Sequence, residues 1–146
     1  MRIFLLACCL LPACIKVVKT EGFRVEIGQA TDAAMANRSI KGEGAPSCGS
    51  VSPGLKELHM ERGGFRVDVT DRNGEVDAVL VLGPERYLSD RPGGEARLAA
   101  DAPGGRIIGS LTGTLVHESA GTRVGGRPAP IREMEVSLTF NLQPCP

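Results

Sequence analysis

Five cysteines, two histidines and thirteen arginines are the side chains here whose chemistry reaches beyond packing. Cys8, Cys9 and Cys14 stand within seven residues, in "LLACCLLPAC". A thiolate can ligate a metal, exchange disulfides or attack an electrophile. A metal or redox site needs ligands held by a polar supporting shell. The neighbours here are Leu, Ala and Pro, and His59 and His117 lie far along the chain. Neither histidine has a partner at ligand spacing, so both read as solvated surface groups. No metal and no cofactor is expected. The chain has no Gly-x-Ser-x-Gly elbow and no Gly-rich phosphate loop before a helix, and no nucleophile–base pair can be named. Asp68, Asp71, Glu75 and Asp77 gather around "DRNG", where charge keeps a sheet edge soluble; "DRNGEVD" lacks the spacing of a calcium loop. Asn37-Arg38-Ser39 is a glycosylation sequon, relevant only to a eukaryotic secretory route.

Composition narrows the classes. Lys+Arg and Asp+Glu are equal at 17 each, so no basic excess invites nucleic acid. Trp is absent, Tyr occurs once and Phe four times, which leaves few faces for stacking sugars or bases. Arg123, Arg127 and Arg132 sit in a loop without acidic residues and form a candidate contact for an anionic envelope polymer or lipid headgroup. The alternative is a solvated loop in a chain rich in Arg.

The apolar run Ile3–Ile15 follows Met1-Arg2. Thirteen residues of helix reach roughly 20 Å against a hydrocarbon core of about 30 Å, too short to span it. A positive start, a short apolar stretch and a small residue before a cut describe an export signal. The stretch resembles the lipobox of bacterial lipoproteins: Leu11, Pro12 and Ala13 precede Cys14, and Leu5, Leu6 and Ala7 precede Cys8. The resemblance implies lipid attachment at Cys14, which leaves Ile3–Leu11 as the apolar segment. Cys8 is the alternative, favoured if translation begins upstream. Residues 1–13 are then a removed signal, 14–21 a lipidated tether and 22–146 one β domain. Cleavage leaves Cys14, Cys48 and Cys145. With lipid on Cys14, two thiols remain in an oxidising compartment, and Cys48–Cys145 is the expected disulfide.

The elements that must carry these residues read as strands. "FRVEI" places Phe23, Val25 and Ile27 on one face; "FRVDVT" repeats the pattern from Phe65. Asn73-Gly74 predicts a tight hairpin into "EVDAVLVL", whose Val79–Leu82 run suggests burial on both faces. "QATDAAMANR" fits a short helix or a loop, and "IKVVKT" a tether or a first strand. "EARLAA" is a further strand candidate. In "RIIGSLTGTLVHE", Gly109 and Gly113 lie between Ile107, Leu111 and Leu115, which asks for strong bending or close backbone packing from a facing sheet. "EMEVSLTFNL" alternates five times, with Met134, Val136, Leu138, Phe140 and Leu142 on one face. The loop between these two strands is long enough to be mobile or functional.

The sum is an all-β domain, an antiparallel sandwich or small barrel of six to eight short strands with one disulfide. Cys48, "RIIGSLTGT" and "MEVSLTFNLQPC" give the chain a resemblance to small β-rich lipoprotein antigens of actinobacteria. It implies surface exposure and a non-enzymatic role. The expected function is therefore a lipid-anchored envelope protein with a binding or structural β domain, held to a membrane through its lipid. Its other partner would be an envelope polymer or protein. The alternatives are an envelope hydrolase and a secreted inhibitor or adhesin module.

Overall fold

Alternation with period two dictates the architecture, because it gives nearly every segment one face to bury and one to solvate. In the computed structural model, which describes residues 21–43 and 47–146, the chain is almost wholly β. The strands are β1 (Gly22–Ala30), β2 (Ser39–Glu43), β3 (Cys48–Ser52), β4 (Leu55–Arg62), β5 (Phe65–Arg72) and β6 (Glu75–Leu82). They continue with β7 (Glu85–Leu88), β8 (Glu95–Asp101), β9 (Ile107–His117), β10 (Arg123–Val124), β11 (Arg127–Pro128) and β12 (Glu133–Pro144). The described strands outnumber the six to eight expected. Pieces as short as "SIKGE", "CGSVS" and "ERYL" are too brief for periodicity to reveal them. Signal, lipid site and "IKVVKT" lie outside the described residues.

Strand order is β2-β1-β12-β3-β4-β5-β6-β7-β9-β8, with a further pairing of β12 to β9. That pairing closes a ring. One layer is β2-β1-β12-β9-β8, and the other is the meander β3 to β7. They join at two corners. At one, Gln143 and Pro144 of β12 pair in parallel with Cys48 and Gly49 of β3. At the other, Tyr87 and Leu88 of β7 pair with His117 and Val116 of β9. The molecule is thus a sandwich sealed at two edges, which reconciles the sandwich and barrel expectations.

The core lies between the layers. Phe23, Val25 and Ile27 of β1 join the inward residues of β12 and β9 and face Met60, Phe65, Val67 and Leu80 from the meander. Phe23 and Phe65 stack across the gap with ring centroids 6.0 Å apart. Leu138 is fully buried between Val25 and Leu111, so β12 sits at the centre of its layer. Of the Val79–Leu82 run, only Leu80 is fully buried; Val79, Val81 and Leu82 are half-buried.

Two local features follow from backbone sterics. Asn73 and Gly74 both take positive φ (53° and 89°), the type I′ geometry that matches strand twist. The Asp71 carboxylate accepts the Gly74 N–H at 2.8 Å. Gly109 and Gly113 answer to β8, their neighbour in the same layer rather than a strand of the facing one. A Cβ at Gly109 would stand 2.0 Å from the Ala99 carbonyl oxygen, and one at Gly113 2.1 Å from that of Glu95. "QATDAAMANR" forms the end of β1 and a turn, not a helix. Met35 from this turn is buried in the core.

Candidate functional site

Among the described residues, polar side chains combine with shape or burial at several places. The broadest is a groove on the outer face of the β2-β1-β12-β9-β8 layer, enclosing about 700 Å³. Register builds it. Ser39, Glu26, Ser137, Thr112 and Arg97 form one row across five strands. Glu135, Thr114 and Glu95 form the next row. Each of these residues alternates with a core residue, so the strands that fill the core also aim this polar grid outward. Arg38 overhangs one side from the turn before β2. The groove holds hydroxyls, carboxylates and guanidinium groups without an aromatic side chain, a surface that binds through hydrogen bonds and charge.

The second place lies on the outer face of the meander, beside the disulfide. Cys48 and Cys145 are bonded, with Cα atoms 4.9 Å apart. Cys48 pairs directly with His59 across β3 and β4. His59 Nδ1 lies 2.6 Å from Asp68 Oδ1, and its Nε2 lies 3.1 Å from Glu61 Oε2. Both ring nitrogens therefore face carboxylates, which favours the doubly protonated ring. The hydrogen bond to Asp68, then that to Glu61, raises the His59 pKa above its ordinary value against the opposing effect of burial. Arg66 Nε holds the other Asp68 oxygen at 3.0 Å.

The third place is the β7–β9 corner. His117 is buried, contrary to the solvated surface group expected from sequence. Its Nδ1 lies 2.7 Å from Ser119 Oγ and 3.2 Å from the Ser119 backbone N, whose N–H donates to it. A nitrogen that accepts an N–H carries a lone pair, so the proton of the neutral ring sits on Nε2. Nε2 meets the Glu85 carboxylate. Arg132 Nη1 stands 3.5 Å from the same oxygen, and its Nη2 donates to Tyr87 Oη at 3.3 Å. The hydrogen bond from His117, with the Arg132 charge, outweighs desolvation and holds the Glu85 carboxyl below its usual range. Burial pushes the Tyr87 hydroxyl up. The ring of Tyr87 meets that of His117 edge-on, with centroids 5.2 Å apart.

The loop after β9 separates the three arginines singled out by sequence. Arg123 and Arg127 lie on β10 and β11, exposed strands of a small hairpin. Arg132 turns inward to Glu85 and Tyr87. Val124 and Ile131, 71% and 65% exposed, share the loop with Arg123 and Arg127. Sequence reasoning missed the His117 cluster because its acid lies 32 residues away on β7. The one local signal was the spacing His117-x-Ser119, common in any polar loop. No protein-family model, no curated protein and no solved structure matches the chain.

Proposed function

We propose that this chain is an exported bacterial lipoprotein, lipidated at Cys14 with Cys8 as the alternative, whose β domain binds a component of the cell envelope. The observation that carries the reading is the bond between Cys48 and Cys145. Structural disulfides persist in oxidising compartments, and this one joins the two cysteines that lipidation of Cys14 leaves over. The groove over Glu26, Ser137, Thr112 and Arg97 supports a binding role. Its chemistry suits a polar ligand carrying both hydrogen-bonding and charged groups, in line with an envelope polymer or a protein segment. Metabolic labelling with radioactive palmitate tests the anchor. Wild type is expected to incorporate label and pellet with membranes, and Cys14→Ser to lose both. Label retained in Cys14→Ser and lost in Cys8→Ser moves the anchor to Cys8; a wild type without label overturns the lipoprotein reading.

A further inference from the structure

We infer that Ser119, His117 and Glu85 form an acyl-accepting serine site at the β7–β9 corner. The inference stands on its own geometry and does not depend on lipidation. A serine hydroxyl becomes a nucleophile when an adjacent base takes its proton and a third group orients that base. All three parts are present. Ser119 Oγ lies 2.7 Å from His117 Nδ1. That nitrogen is the unprotonated one, because it also accepts the Ser119 backbone N–H. The opposite nitrogen, Nε2, points its proton at Glu85. The proton needed on one side and the lone pair needed on the other are therefore already in place. Burial of His117 keeps water from competing for either nitrogen, while Ser119 itself is half-exposed and reachable.

The groups facing the ring are Glu85 and Tyr87 from β7, Ser119 from the following turn and Arg132 from the end of the loop. Glu85 stabilises an imidazolium once it forms. Arg132 Nη1 stands 3.3 Å from Nε2 and, with Glu85, packs against the same edge of the ring. The substrate class is a carboxylic ester. Ser119 Oγ bonds to the carbonyl carbon as its proton moves to His117 Nδ1. The ester C–O bond then breaks and the leaving alkoxide takes that proton. Water reverses the sequence and frees the serine. Ser119 is the nucleophile, His117 the general base and Glu85 a positioning residue.

The test is labelling of the purified full chain with a fluorophosphonate, in which a Ser119 Oγ–P bond forms, fluoride leaves and the proton passes to Nδ1. Mass spectrometry is expected to find one adduct, on Ser119. His117→Gln, which removes the base facing Ser119 Oγ, should slow labelling by about 100-fold or more. Ser119→Ala should abolish it. Glu85→Gln should slow it by roughly 10-fold or more, within the range that general-base catalysis contributes. Far-UV circular dichroism and an intact disulfide show that each variant is folded. No adduct overturns the inference, as does an adduct retained in Ser119→Ala. A Ser119 adduct indifferent to His117→Gln and to Glu85→Gln also overturns it, since that marks an ordinary surface serine.

Discussion

Asp68 and Glu85 each hold a histidine, and the raised His59 and lowered Glu85 predict opposite responses to pH. His59 faces carboxylates on both nitrogens, and its pKa is raised. A raised histidine stabilises the fold fully below the unfolded value and loses that contribution as pH climbs through the folded one. His59→Gln should therefore lower the urea midpoint near about pH 5 and leave it nearly unchanged near about pH 9. Glu85 is lowered, so its contribution is complete above its ordinary value of 4.5 and is lost as pH falls through the depressed one. Glu85→Gln should flatten the acid limb of the stability profile while sparing the alkaline limb, as urea titrations across pH would record. Gly109 and Gly113 give a steric prediction at the same scale. An added methyl would press on the β8 backbone rather than on a flexible side chain. Gly113→Ala should destabilise by about 1–3 kcal/mol. Gly28→Ala, whose Cβ would sit 3.5 Å from the Glu135 carboxylate, is the mild control in the same denaturation series.

β12 is the element on which the others depend. It pairs with β1 on one side, β9 on the other and β3 beyond the end of β1. Its inward stripe of Met134, Val136, Leu138, Phe140 and Leu142 is almost wholly buried. Leu138→Ala should cost about 2–5 kcal/mol, because the surrounding sheets cannot close over the cavity. The β12–β3 corner has only two paired positions, and the disulfide stands immediately beside it. Cys145 also donates its N–H to the Gly49 carbonyl at 2.8 Å. Cys48 and Cys145 are 97 positions apart, so the bond restricts most of the unfolded domain. The chain-entropy account gives about 4–5 kcal/mol for such a loop. Reduction, or Cys48→Ser with Cys145→Ser, should shift the urea midpoint by a corresponding amount. The β5–β6 hairpin was legible because Asn73-Gly74 is a short, local turn signal. The β12–β9–β1 centre was not, because the alternation that identifies a strand says nothing about its neighbours.

For the whole molecule, the ring has two opposite ends. Gly22 pairs with Asn141 and Ala30 with Met134, so the chain enters beside the C-terminal half of β12 and the loop of Arg123 and Arg127 lies at its start. Seven residues of strand separate those two β12 positions, roughly 23 Å. A lipid tether leading into Gly22 would thus enter the domain at the end away from the His117 cluster and the Arg123–Arg127 hairpin. The first and last described strands pair with each other, so folding must close very long loops before β12 is satisfied; such topologies fold in roughly milliseconds to seconds. By itself the sequence determined the strand class, the faces of β1, β5, β9 and β12, the Asn73-Gly74 turn and the pairing of Cys48 with Cys145. Each of those follows from local period, local sterics or cysteine count. Only the tertiary structure decided how β12 closes the ring, why Gly109 and Gly113 must lack side chains, and that Glu85 meets His117. Those contacts join residues ten or more positions apart, and they arise when burial of the apolar faces forces separate strands into register.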